Sequence, residues 1–237
     1  MTQSPNATAL RPVARLSAEA QATSILREYI LSGALKPGAR LTETPLAEQL
    51  GIARATLRLA LHRLAAEGLV LQIPYTGWQV IALSAQDIWE LWTLRGSLEG
   101  LASWIAAEGM TDDKRRTLRG AMDALAEACH AGEIREVNEK DFAFHRSIVA
   151  LAGHARLCAQ YRTVEQQIRL YIATTNLLST GDLSIIVEDH QPLTAALLRG
   201  DPDAAADAAW ALNEKVGRKL VLLMADQERA SVRPRAE

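Results

Sequence analysis

The sequence has few cysteines, lacks long apolar runs and shows no secretory signal at its N-terminus. The spacing of its two cysteines, Cys129 and Cys158, suits neither a disulfide framework nor a zinc knuckle and fits a reducing compartment. The longest apolar stretches, such as residues 220–225, are far too short to span a bilayer. We therefore expect a cytoplasmic protein with no membrane segment.

The sequence also has little net charge, but the value of −2 conceals an asymmetry. Residues 11–83 carry eight lysines and arginines against five acidic residues, whereas residues 84–237 carry 18 against 23. A basic N-terminal part suits a partner with phosphates, and an acidic C-terminal part avoids DNA. With 49% hydrophobic and 23% charged residues, the composition excludes a disordered or fibrous chain.

Residues 17–83 show the pattern of a winged helix-turn-helix domain, preceded by an arm at residues 1–16 without an apolar period. Helical spacing and capping residues predict three helices: residues 22–32, a short helix capped by Thr44, and residues 54–67. Strand-forming segments at 69–73 and 78–83 flank turn residues and predict a hairpin. In a domain of this type the third helix enters the major groove of DNA, and the wing tip meets the backbone or the minor groove.

Residues 84–226 are predicted to form a C-terminal antiparallel all-α bundle, followed by a tail at residues 227–237. Ser84 and Asp87 form a capping-box pattern at its start. The predicted helices are residues 85–108, 112–131, 137–151, 155–177, 183–199 and 202–226. Short links predict antiparallel neighbours, and the core of such a bundle is a common place for a ligand site. The predicted fold class is therefore mainly α.

Several segments resemble the GntR family of bacterial regulators. In the N-terminal domain they stand in the family's order and spacing, at residues 32–43, 46–52, 54–64 and 67–70. In the helical remainder, residues 94–99 and 141–146 are similar to the FCD ligand-binding domain of the FadR-like branch. The resemblance implies a homodimer that binds double-stranded operator DNA and that a small-molecule effector releases from DNA or fastens to it.

The resemblance also implies that Arg54 and Arg58 contact bases and phosphates, with Thr56 as a further phosphate contact. A guanidinium suits this role because its planar fork can donate two hydrogen bonds to the O6 and N7 atoms of guanine. The two arginines stand four residues apart on the solvent-facing stripe of the third helix, so the alternative is a pair of solvated charges. Thr44 and Gly77, in the second helix and the wing, complete the predicted DNA-binding set.

Two residues of the third helix region depart from the family pattern. Ala53 stands where the family usually has Ser, which removes a helix cap or phosphate contact worth about 1 kcal/mol. Leu59 stands where a polar residue is commoner. Its alternatives are contact with a thymine methyl group, packing on the wing, or simple exposure.

A divalent-metal site is predicted in the bundle from Asp141, His145, His190 and Asn213. Asp141 and His145 stand four residues apart on one helix, which places both side chains within reach of one ion. The resemblance adds His190 and a position in the last helix where the family has His and this chain has Asn213. An amide oxygen ligates first-row metals less well, which leaves Zn, Ni and Mn open. The alternative is a hydrogen-bonded Asp141 and His145 pair that lines an effector pocket without metal.

The predicted effector-binding residues are Arg95, His145 and Tyr171, and the expected effector is a small carboxylate. The resemblance places Arg95 inside the bundle, where a guanidinium binds a carboxylate well. Tyr171 can supply a neutral hydrogen bond, and the alternative that its spacing fits equally well is plain helix packing. The alternative for Arg95 is an ordinary surface salt bridge with Glu99, four residues later on the same helix.

Two other function classes compete with a regulator. An enzyme would use the same carboxylate and imidazoles to hold a catalytic metal. The sequence shows no glutamate base in metalloprotease spacing, no nucleophile elbow and no phosphate-binding glycine loop, so we predict no enzymatic activity. A constitutive architectural DNA-binding protein would have no effector, and a ligand that shifts both DNA affinity and melting temperature would exclude it.

Overall fold

The computed structural model describes residues 17–177 and 182–232, and its fold is mainly α as predicted. The predicted arm at 1–16 and the last residues of the tail, 233–237, lie outside the described residues. Within the described ranges the elements are α1 (Ala18–Leu31), β1 (Arg40–Leu41), α2 (Glu43–Leu50), α3 (Arg54–Ala66), β2 (Val70–Ile73), β3 (Gly77–Val80), α4 (Ala85–Glu108), α5 (Asp112–Ala131), α6 (Ile134–Leu151), α7 (Ala155–Leu177), α8 (Ser184–Arg199) and α9 (Pro202–Val232).

The first three helices and the sheet form a winged helix-turn-helix. α3 buries one apolar stripe against α1, α2 and the sheet, through Leu57, Ala60, Leu61 and Leu64. Gly51 adopts a left-handed φ of 63°, which ends α2 and turns the chain sharply into α3. β3 pairs antiparallel with β2 to form the predicted hairpin, and Trp78 of β3 lies in the core.

The structure differs from the sequence prediction at several element ends. Thr44 does not cap α2: the N-cap is Thr42, and Thr44 is the second residue of the helix. Pro45 is tolerated there because the first amides of a helix need no partner within it. β1 was not predicted because a strand of two residues is too short to show an alternation of apolar and polar side chains. It pairs with β3 through Arg40 and Leu41. α9 continues past the predicted end at residue 226, since the following sequence up to Val232 has no helix breaker.

The remaining helices form the bundle, in which α4 packs mainly on α9. Ser84 and Asp87 make the predicted capping box at the start of α4. Two glycines allow the close approach of these helices. A β-carbon on Gly217 of α9 would come within 2.3 Å of Trp92, and one on Gly96 of α4 within 3.0 Å of Trp210. None of the helices in the described ranges combines the length and apolar character that a membrane span needs.

α7 belongs to the bundle and also contacts the winged helix-turn-helix. Leu170 is buried in the apolar cluster of the N-terminal unit, to which Leu26 and Leu64 also belong. Gln167 lies against Gly68, where an added β-carbon would come within 2.2 Å of the glutamine amide. Because Gly68 follows Glu67, the C-cap of α3, one bundle helix contacts the chain just beyond the end of the predicted DNA-reading helix.

Candidate functional site

The predicted DNA-binding arginines lie on the exposed face of α3 and share one acidic partner. Arg58 donates two hydrogen bonds to the carboxylate of Glu43, at 2.8 and 3.1 Å, and Arg54 lies 3.5 Å from the same group. Trp78 donates a third hydrogen bond to Glu43 through its indole nitrogen, at 3.2 Å. The hydrogen bond from Arg58 is the main cause that lowers the pKa of Glu43 to about 2; burial opposes it, and the hydrogen bond from Trp78 adds to it. Glu43 therefore holds the Arg58 side chain in one orientation.

The other predicted DNA-binding residues lie around the same groove or beside it. A groove of about 320 Å³ is lined by both arginines, Thr44 and Gly77, together with residues of β1 and the wing tip. Thr56 is half-buried on α3 and does not line this groove. Leu59 is exposed on α3, which favours DNA contact or tolerance over packing on the wing. The helix face and the wing tip thus present one continuous surface.

In the bundle, the structure brings Asp141 and His145 of α6 together with His190 of α8. The Nε2 atoms of the two imidazoles are 3.0 Å apart, and Asp141 Oδ1 is 3.3 Å from His145 Nε2 and 3.4 Å from His190 Nε2. Ligand atoms about 2.1 Å from one metal ion, in tetrahedral or octahedral geometry, lie about 3.0–3.5 Å from one another. All three residues are buried. Their spacing therefore fits a divalent ion.

The other ring nitrogens decide which atoms of the histidines can bind a cation. His190 Nδ1 lies 2.6 Å from the carbonyl oxygen of Ile186, which requires the proton on that nitrogen. His145 Nδ1 lies 2.9 Å from Glu99 Oε2, so its proton is also favoured on Nδ1, although the pair is not aligned as a hydrogen bond. Both Nε2 lone pairs then face each other beside a carboxylate oxygen that accepts no hydrogen bond. This arrangement demands a cation, either a proton or a metal ion.

The charges around the cluster are consistent with this assignment. Burial and Arg95 act to lower the pKa of His145, but Glu99 and Asp141 outweigh them and raise it. Burial alone would raise the pKa of Asp141, yet His190 and His145 hold it well below its usual range. The Asp141 carboxylate is therefore ionised, and the site attracts a proton or a metal ion.

Asn213 of α9 lies at the same cavity, and its neighbours fix the orientation of its amide. The nitrogen donates to Glu99 Oε2 at 3.1 Å and to the carbonyl oxygen of Ala209 at 2.9 Å. Since both partners only accept, the amide cannot be reversed. The buried oxygen of Asn213 is left without a hydrogen-bond partner among the described residues and lines the cavity with the three metal-ligand candidates.

Arg95 and Tyr171 reach the same cavity, which has a volume of about 50 Å³ and also borders residues of α7, α8 and α9. Arg95 is buried rather than exposed, and its Nε donates to Glu99 Oε1 at 2.8 Å. Its two terminal nitrogens make no hydrogen bond with the described residues. The hydroxyl of Tyr171 is buried without a partner there, and burial raises the pKa of this tyrosine to about 12. Arg95 therefore makes the salt bridge with Glu99 inside the bundle rather than at its surface, and it also lines the cavity.

Comparison with known proteins agrees with this division into two parts. Residues 18–80 match the model of the gntR family of bacterial regulatory proteins, and residues 90–214, more than half of the chain, match the FCD domain. The chain belongs to the GntR family and carries an FCD domain. It is therefore a transcriptional regulator of the GntR type.

Individual relatives cover most of the regulator. It is 30% identical over 194 residues to the probable D-xylose utilization operon transcriptional repressor of Paenarthrobacter nicotinovorans, which covers 82% of this chain and 84% of that protein. It is 28% identical over 190 residues to the HTH-type transcriptional repressor GlaR of Escherichia coli, covering 77% and 86%. The solved structure of E. coli McbR/YncC shares the fold, with a TM-score of 0.70, 22% identity and coverage of 90% of this chain and 100% of that one.

Glu99 is the FCD-domain residue that sequence reasoning missed. It accepts hydrogen bonds from Arg95, Tyr161 at 2.9 Å and Asn213, and His145 Nδ1 lies 2.9 Å away without forming a hydrogen bond. The signal was present in α4, because Glu99 falls on the stripe of buried core positions 88, 92, 95, 99, 102 and 106. Arg95 and Glu99 both fall on this stripe, which indicates a buried ion pair rather than a surface one.

Asn176 of α7 is a second residue that sequence reasoning missed, and it contacts Asp141, one of the metal-ligand candidates. Its amide nitrogen donates to Asp141 Oδ2 at 3.0 Å and to Asn138 Oδ1 at 3.1 Å. Asn176 therefore orients the carboxylate that faces the histidines. Its position gave no sequence signal, because the contact depends on how α7 crosses α6.

Proposed function

We propose that this GntR regulator acts in the cytoplasm as a homodimer on an inverted-repeat operator, and that a small carboxylate effector modulates its DNA affinity. We further propose that a divalent ion, Zn, Ni or Mn, is held in the FCD domain by Asp141, His145 and His190, with Asn213 as the fourth protein ligand. The observation that carries the proposal is the convergence of three buried ligand atoms at 3.0–3.4 Å beside a cavity with free donors.

The charge of the site supports an anionic effector. The charge of Arg95 is balanced by Glu99, and Asp141 adds one further negative charge. A divalent ion in the site would leave one net positive charge in a buried place and would polarise a bound carboxylate. The free terminal nitrogens of Arg95 can donate to that carboxylate as a pair.

The size of the cavity supports a small effector. Its volume of about 50 Å³ accommodates about three to five water molecules, or a compact ligand of a few heavy atoms. The Tyr171 hydroxyl, buried without a hydrogen-bond partner among the described residues, offers the effector one further donor.

The contacts of α7 support the proposal that ligand binding in this cavity changes DNA affinity. Tyr171 lines the cavity, whereas Leu170 and Gln167 pack on the winged helix-turn-helix. A ligand that moves α7 would therefore move the contact at Gly68, just after α3. This gives the effector a short physical route to the DNA-binding surface, which an architectural protein would not need.

An exposed apolar stripe on α4 supports a homodimer. Leu94, Leu101 and Trp104 recur on one face of the helix at spacings of seven and three, with 45%, 49% and 37% exposure. Trp210 of the neighbouring helix α9 is also partly exposed. A second copy would cover this stripe, and two recognition helices would then read a two-fold operator.

The decisive experiment titrates metal-stripped protein by calorimetry with Zn, Ni and Mn, alone and with a panel of small carboxylates. DNA binding is measured in parallel on a duplex that the wild-type protein selects from a random library. His145→Ala should abolish both the metal heat and the effector response, because it removes a ligand at the centre of the cluster. The matched control is His130→Ala, since His130 is exposed on α5.

The outcomes separate the competing functions. If His145→Ala and Arg95→Ala both keep a full effector response, the effector binds elsewhere and the assignment is wrong. If the protein selects no sequence but turns over a substrate in a metal-dependent manner, the enzyme alternative replaces the regulator. If it selects a duplex whose affinity no carboxylate changes, the architectural alternative holds.

A further inference from the structure

A second cavity adjoins the one beside the metal-ligand candidates, and it lies between α7, α8 and α9. Its volume is about 90 Å³, compared with about 50 Å³ for the inner cavity. Four residues line both cavities: Thr175, Ile185, Asp189 and Val216. Because the cavities share these walls, a ligand whose head lies in the inner cavity can extend into the outer one.

One face of α9 runs along both cavities. Asn213 and Val216 line the inner cavity, and Val216, Leu220 and Leu223 line the outer one. These positions follow one another at spacings of three and four residues, which places them on one side of the helix. Beyond the polar Asn213 this face is apolar, so it suits a hydrocarbon segment of a ligand.

Ile185 and Lys219 of the outer cavity are exposed to any ligand that enters it. Ile185 is 48% exposed although its side chain is apolar. Lys215 donates a hydrogen bond to Asp189 at 2.6 Å, so these two charges balance each other. Lys219, one turn further along α9, makes no ion pair or hydrogen bond with the described residues. The outer cavity therefore combines an uncovered apolar wall with one unbalanced positive charge.

We propose that the outer cavity is a second subsite of the effector site, and that the effector is an acid with two anionic ends joined by an apolar chain. This inference rests on the proposed carboxylate effector, which it makes more specific. The first carboxylate lies at Arg95 and the proposed metal ion. The chain passes between Ile185 and Val216, and the second anionic group pairs with the ammonium group of Lys219.

The spacing along α9 sets the length of such an effector. Asn213 at the inner cavity and Lys219 at the outer one stand six residues apart, which is about 9 Å along the helix axis. Extended suberate can span this distance with a carboxylate at each end, whereas succinate is too short. Octanoate has the chain length of suberate but a single carboxylate, so it separates the effect of the second charge from that of the chain.

The test titrates zinc-loaded protein with these three acids by calorimetry, in the wild type and in Lys219→Met, which keeps an apolar stem and removes the charge. Lys219→Met should weaken suberate binding about fivefold, the loss of one ion pair at an exposed position, and leave octanoate and succinate binding unchanged. Arg218→Met is the matched control. It removes a neighbouring charge that pairs with Glu214 and lines neither cavity, and it should change no affinity.

A second variant tests the apolar part of the subsite. Leu223→Trp fills the outer cavity, so it should weaken suberate and octanoate binding about tenfold and leave succinate binding intact. Zinc affinity and melting temperature show that each variant is folded. Suberate binding that Lys219→Met leaves unchanged, or weakens only as much as succinate binding, would overturn the inference while Arg95→Ala still tests the proposed effector site. If the zinc-loaded wild type binds none of the carboxylates, the proposed function itself fails.

Discussion

Asn213 lies where the family pattern has a histidine, and it is the fourth ligand of the proposed metal site. Its nitrogen is committed to Glu99 and Ala209, so only the amide oxygen faces the cavity. An amide oxygen favours harder ions, whereas an imidazole favours Zn and Ni. The choice of ion is therefore expected to depend on this one side chain.

We predict that Asn213→His increases the affinity for Zn and Ni by about tenfold or more and the affinity for Mn by less, since the imidazole restores a softer ligand. Calorimetric titration of metal-stripped protein measures each affinity, and the melting temperature confirms that the variant is folded. Asn213→Ala is the control, because it removes the oxygen without supplying nitrogen. A folded His variant that binds Zn no more tightly than the wild type would show that residue 213 is not a ligand.

Glu43 makes the stability of the winged helix-turn-helix depend on pH. Its folded pKa of about 2 is below the ordinary value of 4.5, so the ionised form is favoured in the folded state. The resulting stabilisation is complete above about pH 4.5 and is lost as the pH falls from 4.5 to 2.

We predict that Glu43→Gln lowers the urea midpoint at pH 7 and that its difference from the wild type shrinks below pH 4.5. The control is Glu48→Gln, an exposed acidic residue on the same helix, which should leave the midpoint unchanged at both pH values. A deficit in Glu43→Gln that stays constant from pH 7 to pH 3 would mean that the carboxylate charge is not the cause.

At the scale of helices and strands, most of the fold could be predicted because local patterns determine it. The capping box at Ser84 and the apolar period of α3 fix those elements without tertiary information. β1 escaped prediction because its two residues gain their conformation from pairing with β3. The burial of Glu99 was within reach from the α4 stripe, whereas the contact of Asn176 with Asp141 depends on helix crossing and was not.

The proposed coupling through α7 leads to a prediction at this scale. Leu170→Ala should leave zinc affinity within about twofold of the wild type but reduce the carboxylate-dependent change in the DNA affinity of the zinc-loaded protein, because it loosens α7 from the N-terminal core. Calorimetry gives the first quantity, and fluorescence anisotropy with the selected duplex gives the second. Leu157→Ala makes a comparable cavity on the same helix within the bundle and should retain the coupling. Equal coupling in both variants would contradict a role for this contact.

On the scale of the whole molecule, one chain presents one recognition helix of 13 residues. A single helix of this kind reaches only a few base pairs, so useful specificity requires a second copy placed by symmetry. The exposed stripe on α4 is a suitable surface for such pairing, because contiguous apolar area on a folded chain is otherwise unfavourable in water.

We predict that the wild type sediments as a dimer at micromolar concentration and that Leu101→Lys shifts it to a monomer, because a charge placed in the stripe must be desolvated on pairing. The monomer should still bind a single half-site about as well as one wild-type subunit does. On the complete inverted repeat, however, it should lose the added affinity that comes from two linked half-sites. Ile25→Lys places the same charge on a similarly exposed residue of α1 and should leave the dimer intact. If Leu101→Lys remains dimeric and Ile25→Lys does not, the N-terminal unit rather than α4 makes the interface, and the effector must then act on DNA affinity through α7 within each chain.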